Sequence, residues 1–234
     1  DGGISSASGC GDDFASERPM GHKIIVDSMK YLVDVFDIDG FRFDLMGLID
    51  AETINQIKAA VLKINPNIIL YGEGWNMMSG YDLTLANSNN FLKVPEVAFF
   101  NDNYRDVVIG NLGSRDPGFG LDNIVYRDAF KEVVSGSSFN MLGTGSRFNS
   151  VVYTINFVEC HDNNTLFDKI QILRPNDSLS AKLKRVTFIN GLVMFSLGVP
   201  FFHAGQEIGL SKGGDGNSYR SGDKVNHFNY SLLK

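Results

Sequence analysis

Short apolar segments alternate with longer amphipathic segments along most of this chain. Several of the short segments are apolar at every position, which is typical of parallel strands covered by helices on both faces. The pattern predicts helices over 20–37, 51–65, 121–136 and 179–198, and strands over 38–44, 67–75, 96–102, 151–163 and 199–207. This order of elements predicts an α/β fold with a parallel sheet and crossover helices.

The number of predicted strands leaves two architectures open. Five parallel strands fit an open, doubly wound sheet, and they also fit the second half of an eight-stranded barrel. No internal repeat or low-complexity linker divides the sequence. We therefore expect the residues 1–234 to belong to one domain.

Composition and charge exclude several classes of partner. The 234 residues are 43% hydrophobic and 21% charged, with 21 Lys and Arg against 27 Asp and Glu, a net charge of -6. No run rich in Lys and Arg occurs, so nucleic acid and anionic membranes are not expected partners. No apolar run of about 18 residues predicts a transmembrane helix, and no signal peptide is visible. A cytoplasmic and a secreted location both remain open.

The cysteines give no indication of a metal site. Cys10 and Cys160 are the two cysteines, and neither belongs to a C-x-x-C pair. A zinc site is therefore not expected. Two free thiols are the favoured interpretation, with one disulfide as the alternative.

Charged or polar side chains stand at the end of every predicted strand, in the segments RFD, GEGW, FND, VECHDN and HAGQE. The carboxyl ends of parallel strands form the active face of α/β folds. A single strand-end Asp is most often a helix cap, but the recurrence favours a shared pocket. Two carboxylates in one pocket can act as acid and nucleophile, as glycoside hydrolysis requires. No phosphate-binding glycine motif and no G-x-S-x-G elbow competes with this interpretation.

Three of these segments resemble a known family. GFRFD, GEGW and VECHDN are similar to signature regions of the α-amylase superfamily of glycoside hydrolases, where they end barrel strands four, five and seven. FFHAGQE resembles the strand-eight segment. The segments SGCGDDFASERPM, AFFNDNYRD and NSYRSGDKVN resemble the type I pullulanases, the α-1,6 debranching branch. The resemblance covers nearly the whole chain and implies the C-terminal portion of a (β/α)8 barrel.

The resemblance implies a catalytic role for three carboxylates. Asp44 resembles the nucleophile, Glu73 the general acid/base, and Asp162 the carboxylate that binds sugar hydroxyls near the transition state. Arg42 resembles the residue that holds the nucleophile ionised, and His161 the histidine that contacts the sugar. The implied reaction is hydrolysis of α-1,6 linkages in pullulan, glycogen or branched starch fragments, with retention of configuration.

Other residues have weaker support from the same resemblance. Trp75 follows the acid and is a candidate for stacking on a sugar, with a core position as the alternative. Asn217 and Tyr219 match a loop that shapes substrate subsites, with a flexible tail as the alternative. Asp102 and Arg105 match a family segment that could equally hold a structural salt link. Cys160 and His203 are expected to be structural.

The sequence also departs from the family. Barrel strands one to three, the signature region of strand three and the C-terminal β-domain have no counterpart here. Half a barrel would leave open sheet edges and an uncovered core face. We therefore expect a partial catalytic barrel that pairs with its missing part and has little activity alone. No cofactor is required; calcium occurs in the family, but no ligands can be assigned and no metal site is predicted.

Three alternatives remain open at this point. One is an α-1,4-acting amylase or transglycosylase of the same superfamily. Another is a glucan-binding fragment without activity, although all three carboxylates are present. The last is an unrelated open-sheet protein, which predicts that the strand-end carboxylates do not converge.

Overall fold

The computed structural model describes residues 4–78, 82–112, 115–140, 143 and 146–233. The chain divides into two compact units. The first runs up to Phe100 and the second begins at Asn101. Each unit is described separately below.

The first unit combines two helices with three parallel strands. In chain order they are α1 (Pro19–Phe36), β1 (Gly40–Phe43), α2 (Ala51–Val61), β2 (Ile69–Gly72) and β3 (Ala98–Phe100). β1 pairs with β2, and β2 pairs with β3, both in parallel. Its buried apolar side chains come mainly from α2, from β3 and from the segments that flank them: Met46, Ile54, Ile57, Val61, Val94, Val97 and Phe99.

Helix α1 is confirmed, but its packing differs from the prediction. Pro19 stands in the first turn, where a proline N–H is not needed. The helix ends because Asp37 adopts a left-handed conformation with φ 53°. Apolar residues recur at helical spacing along α1, and among them Val33 is fully buried while Ile24 and Phe36 are exposed. The periodicity thus locates the helix but does not show which of its apolar residues are covered.

Helix α2 begins at a buried acidic cap. The Asp50 carboxylate accepts hydrogen bonds from the Thr53 N–H (2.9 Å) and from the Ser16 hydroxyl (2.6 Å). Burial raises the pKa of Asp50. The hydrogen bonds from Ser16 and Thr53 together lower it by more, so the pKa lies below its ordinary value. The side chain therefore stabilises the folded state as the carboxylate.

We expect Asp50→Ala to lower the unfolding free energy by about 1–2 kcal/mol at pH 7, because α2 loses its N-cap. A lowered folded pKa adds stability above the unfolded pKa of about 3.9, and this stability disappears as the pH falls through the folded pKa. The variant should therefore lose less stability than the wild type between pH 5 and pH 2. Denaturation followed by circular dichroism measures both effects. Asp34→Ala, at an exposed site on α1, is the control, and equal effects of the two changes would contradict the prediction.

The second unit contains five helices and two parallel strands. Its elements are α3 (Asp102–Ile109), α4 (Arg127–Val134), β4 (Thr154–Asn156), α5 (Leu166–Leu173), α6 (Leu179–Phe195), β5 (Val199–Pro200) and α7 (Asp223–Asn226). β4 pairs with β5 in parallel. Its core is a cluster of buried side chains from α3, α4, α5 and α6, including Tyr104, Val108, Val133, Ile170, Ile189 and Val193.

Three helices, α3, α5 and α7, were not predicted. The sequence predicts a strand over 96–102; the strand ends at Phe100, and the Asn101 side chain caps α3 by accepting from the Tyr104 N–H. Helix α5 follows Thr165, whose hydroxyl accepts from the Asp168 N–H (3.1 Å). Helix α7 has four residues, too few for a periodic pattern.

The strands are shorter than the apolar runs that predicted them. The runs 67–75 and 151–163 contain β2 and β4, of four and three residues. β3 and β4 are fully buried as predicted, but Ile69 of β2 and both residues of β5 are exposed. Within the described ranges no helix is long and apolar enough to cross a membrane.

Candidate active site

The register of β1 and β2 places Asp44 and Glu73 at neighbouring strand ends. Phe43 pairs with Gly72, and the Glu73 N–H donates to the Phe43 carbonyl (3.1 Å). The next residue on each strand is a carboxylate. Parallel pairing therefore brings together two acids that are 29 positions apart in the sequence.

Arg42 connects these two carboxylates. Its guanidinium donates to Asp44 and to Glu73, the latter with an N–O distance of 2.6 Å. The guanidinium also lies over the Phe100 ring, 5.5 Å from its centroid. The planar, permanently charged fork of arginine suits a site where two carboxylates must be held at once.

The two carboxylates have different environments. The Glu73 side chain is 5% exposed and the Asp44 side chain 66% exposed. Glu73 also accepts a hydrogen bond from the Leu45 N–H (3.0 Å), which points at it because Leu45 adopts a left-handed conformation with φ 45°. One acid is thus enclosed and held by two donors, while the other is open to a ligand.

Two glycines leave no space beside Glu73. A Cβ on Gly72 would lie 2.8 Å from the Phe43 carbonyl oxygen, and a Cβ on Gly74 would lie 2.3 Å from the Phe99 ring. The GEG sequence therefore reflects close packing on both sides of the acid. Trp75 follows and is half-buried.

The distance between Asp44 and Glu73 fits one type of glycoside chemistry. Carboxylate oxygens of the two residues lie within 4.8 Å of each other. Retaining glycosidases hold their acid and nucleophile about 5–5.5 Å apart, whereas inverting enzymes keep about 6.5–9.5 Å for a water molecule. The pair can therefore act on the two sides of a glycosidic carbon without an intervening water.

His161 and Asp162 lie in the second unit, in the loop between β4 and α5. Both side chains are about half exposed, and their nearest ring nitrogen and carboxylate oxygen are 3.5 Å apart. Asp162 also lines a cavity of about 50 Å³ with Arg105, Asn163 and Lys169. They follow the last residue of β4 by five and six positions, so the predicted strand over 151–163 ends well before them.

Asn217 and Tyr219 lie at a short 3-10 helix, Ser218–Arg220, rather than in a flexible tail. The Asn217 N–H donates to Asp215 (2.8 Å), and the Arg220 guanidinium lies 5.1 Å from the Tyr219 ring centroid. Both predicted residues are exposed. They therefore occupy defined positions from which they could contact a ligand.

The remaining predicted residues have structural contacts. Asp102 forms an ion pair with Arg147, and Arg105 pairs with Asp106. Asp102 and Arg105 of the AFFNDNYRD segment thus take part in separate salt links. Cys10 and Cys160 are both free thiols, in agreement with the favoured interpretation.

Sequence reasoning missed two buried acids near His161 and Asp162. Glu159 is 3% exposed; its carboxylate accepts from the Leu166 N–H (2.5 Å) and lies 2.8 Å from the His203 ring. Asp168 is 1% exposed and binds Ser211 and Lys212. The pattern Thr165-x-x-Asp168 resembles a capping box and could have indicated both α5 and its acid.

An α/β fold with parallel strands, in which two close carboxylates end neighbouring strands, is the arrangement found in barrel glycoside hydrolases. Comparisons with known proteins agree with this class. No protein-family model matches the chain. It is 36% identical to the pullulanase of Bacillus subtilis over 97% of its own length.

Solved structures give the same result. The type I pullulanase of Bacillus subtilis, complexed with maltose, superimposes on 99% of this chain with a TM-score of 0.94 and 36% identity. The pullulanase of an Anoxybacillus species, complexed with maltotetraose, superimposes on 98% with a TM-score of 0.91 and 36% identity. The predicted resemblance to pullulanases and the predicted α/β fold of a partial barrel are confirmed.

The chain corresponds to a part of these proteins. It spans 32% of the Bacillus subtilis pullulanase sequence and 33% of each of the two superimposed structures. The similarity thus extends over nearly all of this chain and about a third of its relatives.

Proposed function

We propose that the protein containing this chain is a retaining glycoside hydrolase that cleaves α-1,6 branch linkages in pullulan or related branched α-glucans. The observation that carries the proposal is the distance of at most 4.8 Å between carboxylate oxygens of Asp44 and Glu73. The similarity to pullulanases supports the linkage, and the maltooligosaccharides bound to related pullulanases support an α-glucan substrate.

In the proposed mechanism, the exposed Asp44 carboxylate attacks the anomeric carbon. The bond from this carbon to the 6-oxygen of the branch breaks, and Glu73 gives its proton to that oxygen. A covalent glycosyl-Asp44 ester results. Glu73 then removes a proton from water, which attacks the same carbon, restores Asp44 and releases a sugar of unchanged configuration.

Arg42 has two functions in this proposal. It orients Asp44 for attack. Its positive charge also balances the one negative charge of the pair, which is on Asp44 before the ester forms and on Glu73 afterwards. Both Glu73 oxygens accept hydrogen bonds, from Arg42 and from Leu45. When Glu73 is protonated, one of these oxygens carries the proton that passes to the departing oxygen, and the other can still accept. His161 and Asp162 are assigned to sugar hydroxyls on the motif match alone.

The assay that tests the function compares two substrates. The protein expressed from its complete reading frame should release reducing ends from pullulan and few from linear amylose. Preferential cleavage of amylose would favour the α-1,4 alternative. Binding of maltotriose without release of reducing ends would favour the glucan-binding alternative.

We further propose that these residues form one part of a longer catalytic barrel. A cavity of about 440 Å³ beside Asp44 is lined by apolar side chains that include Ile24, Ile25 and Met29. In the second unit Phe188 and Phe195 of α6 are exposed. Apolar surfaces of this kind usually pack against further protein, and the Bacillus subtilis pullulanase is about three times as long.

The 234-residue chain in isolation should therefore hydrolyse pullulan weakly or not at all. Without the protein that covers its apolar face, the isolated chain has an incomplete site. The exposed apolar face also promotes association between copies of the chain. Reducing-end release by the isolated chain and by the complete protein, at equal molar concentration, measures the difference. Comparable turnover by the two would contradict the prediction.

A further inference from the structure

The Asp168 carboxylate is buried but belongs to no ion pair among the described residues. It stands in the first turn of α5, where an acid commonly bonds back to the cap residue. Here its two oxygens instead accept from the Ser211 hydroxyl (2.5 Å) and the Lys212 N–H (2.8 Å), in the segment that follows β5. Asp168 therefore connects two segments that are 43 positions apart.

These bonds determine where the segment after β5 lies. A buried carboxylate is strongly destabilising unless donors satisfy it, and bonds to an ionised acceptor are stronger than neutral ones. Moving Ser211 and Lys212 away would leave Asp168 charged and unsatisfied. The backbone at these two residues is consequently fixed relative to α5.

Lys212 links this fixed backbone to the turn that carries Asn217 and Tyr219, two of the predicted sugar-contacting residues. Its ammonium group donates to the Ser218 hydroxyl (2.8 Å), and the Asn226 amide donates to the Ser218 carbonyl (2.7 Å). Ser218 is buried and begins the 3-10 helix that carries Tyr219, with Asn217 directly before it. The exposed side chains of Asn217 and Tyr219 thus project from an anchored turn.

The loop that carries His161 and Asp162 contacts the same segment. The Asn164 amide donates to the Gly214 carbonyl (2.8 Å), and Glu159 holds His203. Bonds on both sides of residues 161–162 therefore lead into residues 203–218. The two groups of predicted sugar-contacting residues are mutually positioned by these contacts.

We propose that Asp168 is a positioning residue that sets Asn217 and Tyr219 relative to His161 and Asp162, and thereby the preference for branched over linear α-glucans. The inference rests on the proposed function, because the ligand is the branched glucan assigned there. Two chains meet at a branch, so a branched ligand needs contacts on both sides of the cleaved bond. A fixed distance between the two contact groups matters less for a linear chain.

The variants that test this are Asp168→Asn and Ser211→Ala in the protein expressed from its complete reading frame. An amide at position 168 is uncharged and has one acceptor oxygen, so neither bond stays charge-assisted, and the Ser211 contact persists only if the hydroxyl accepts from the amide. Amide hydrogen exchange at 211–221 should accelerate about tenfold in Asp168→Asn, the effect of removing about one charge-assisted bond. Ser211→Ala should act in the same direction with a smaller effect. Asp128→Asn, at an exposed site on α4, is the control.

Kinetics separate positioning from general damage. We expect Asp168→Asn to raise KM for pullulan about tenfold, the effect of one lost contact, with kcat nearly unchanged and unaltered binding of linear maltotriose. Wild-type exchange rates at 211–221 in this variant would overturn the inference, and so would a lower kcat at constant KM. If the wild type does not act on pullulan, the proposed function fails, and the exchange rates at 211–221 then decide whether Asp168 orders the segment that carries Asn217 and Tyr219.

Discussion

Glu73→Gln should lower kcat on pullulan by roughly 10²- to 10⁴-fold, the range expected for loss of a general acid/base. The amide has the size of the carboxyl group, so the space between Gly72 and Gly74 can accommodate it. It cannot deliver a proton to the departing oxygen or take one from water. Affinity for maltotriose should stay within about twofold, because proton transfer belongs to the transition state. Steady-state kinetics and calorimetry measure the two quantities.

A substrate that needs no acid gives a sharper test of the same residue. The fluoride of an α-glucosyl fluoride departs without protonation, and azide attacks the glycosyl-enzyme without a base. Glu73→Gln should therefore retain the conversion of such a fluoride to an α-configured glycosyl azide. Glu96→Gln, at an exposed site beside Lys58, is the matched control. Equal activity of the two variants on pullulan would refute the role of Glu73.

Arg42→Met should lower the unfolding free energy by about 3 kcal/mol, because removal of one partner from a buried ion pair is strongly destabilising. Glu73 is almost completely enclosed, and Arg42 donates to one of its oxygens over 2.6 Å. The variant should also lose most activity, since Asp44 loses its orienting partner. Urea denaturation and pullulan hydrolysis measure the two losses. Arg18→Met, at an exposed site outside this cluster, is the control.

A double substitution identifies the origin of the lost stability. If the lost ion pair with Glu73 is responsible, adding Glu73→Gln to Arg42→Met should restore about 1–2 kcal/mol of the unfolding free energy. A coupling of this size is typical of residues in direct contact. Arg42→Lys should keep the charge but lose activity, because an ammonium group does not span two carboxylates as a guanidinium does. Additive losses in the double variant would show that Arg42 acts through other contacts, such as the Phe100 ring.

The sequence was sufficient to predict the helices with long periodic patterns, α1, α2 and α6, to within a few residues. It failed at α3 and α5, which are eight residues each and begin at polar caps that also fit a strand end or a loop. The strands were located but overestimated, because apolar residues continue beyond the hydrogen-bonded ladder. Which apolar faces are covered depends on tertiary packing, so the exposed residues of α1 could not be foreseen.

For the candidate site, the recurrence of acids at strand ends indicated a shared pocket, and the resemblance to the α-amylase superfamily singled out Asp44 and Glu73 among them. Pairing of Arg42 with both acids was not foreseen, since side-chain direction depends on the register of β1 and β2. Glu159 was missed because its partner His203 lies 44 positions away. The Thr165-x-x-Asp168 pattern indicates a helix start, but it does not show that Asp168 bonds to Ser211, 43 positions away. Contacts of that range leave no local pattern.

The close packing around Glu73 has a consequence for directed evolution of this chain. Any side chain at position 72 or 74 collides with Phe43 or Phe99, so libraries aimed at the immediate neighbours of the acid will contain few folded members. The exposed residues beside Ser218 have no such restriction. Randomisation at positions 217 and 219, with residue 168 kept as Asp, is the more productive route to altered linkage preference.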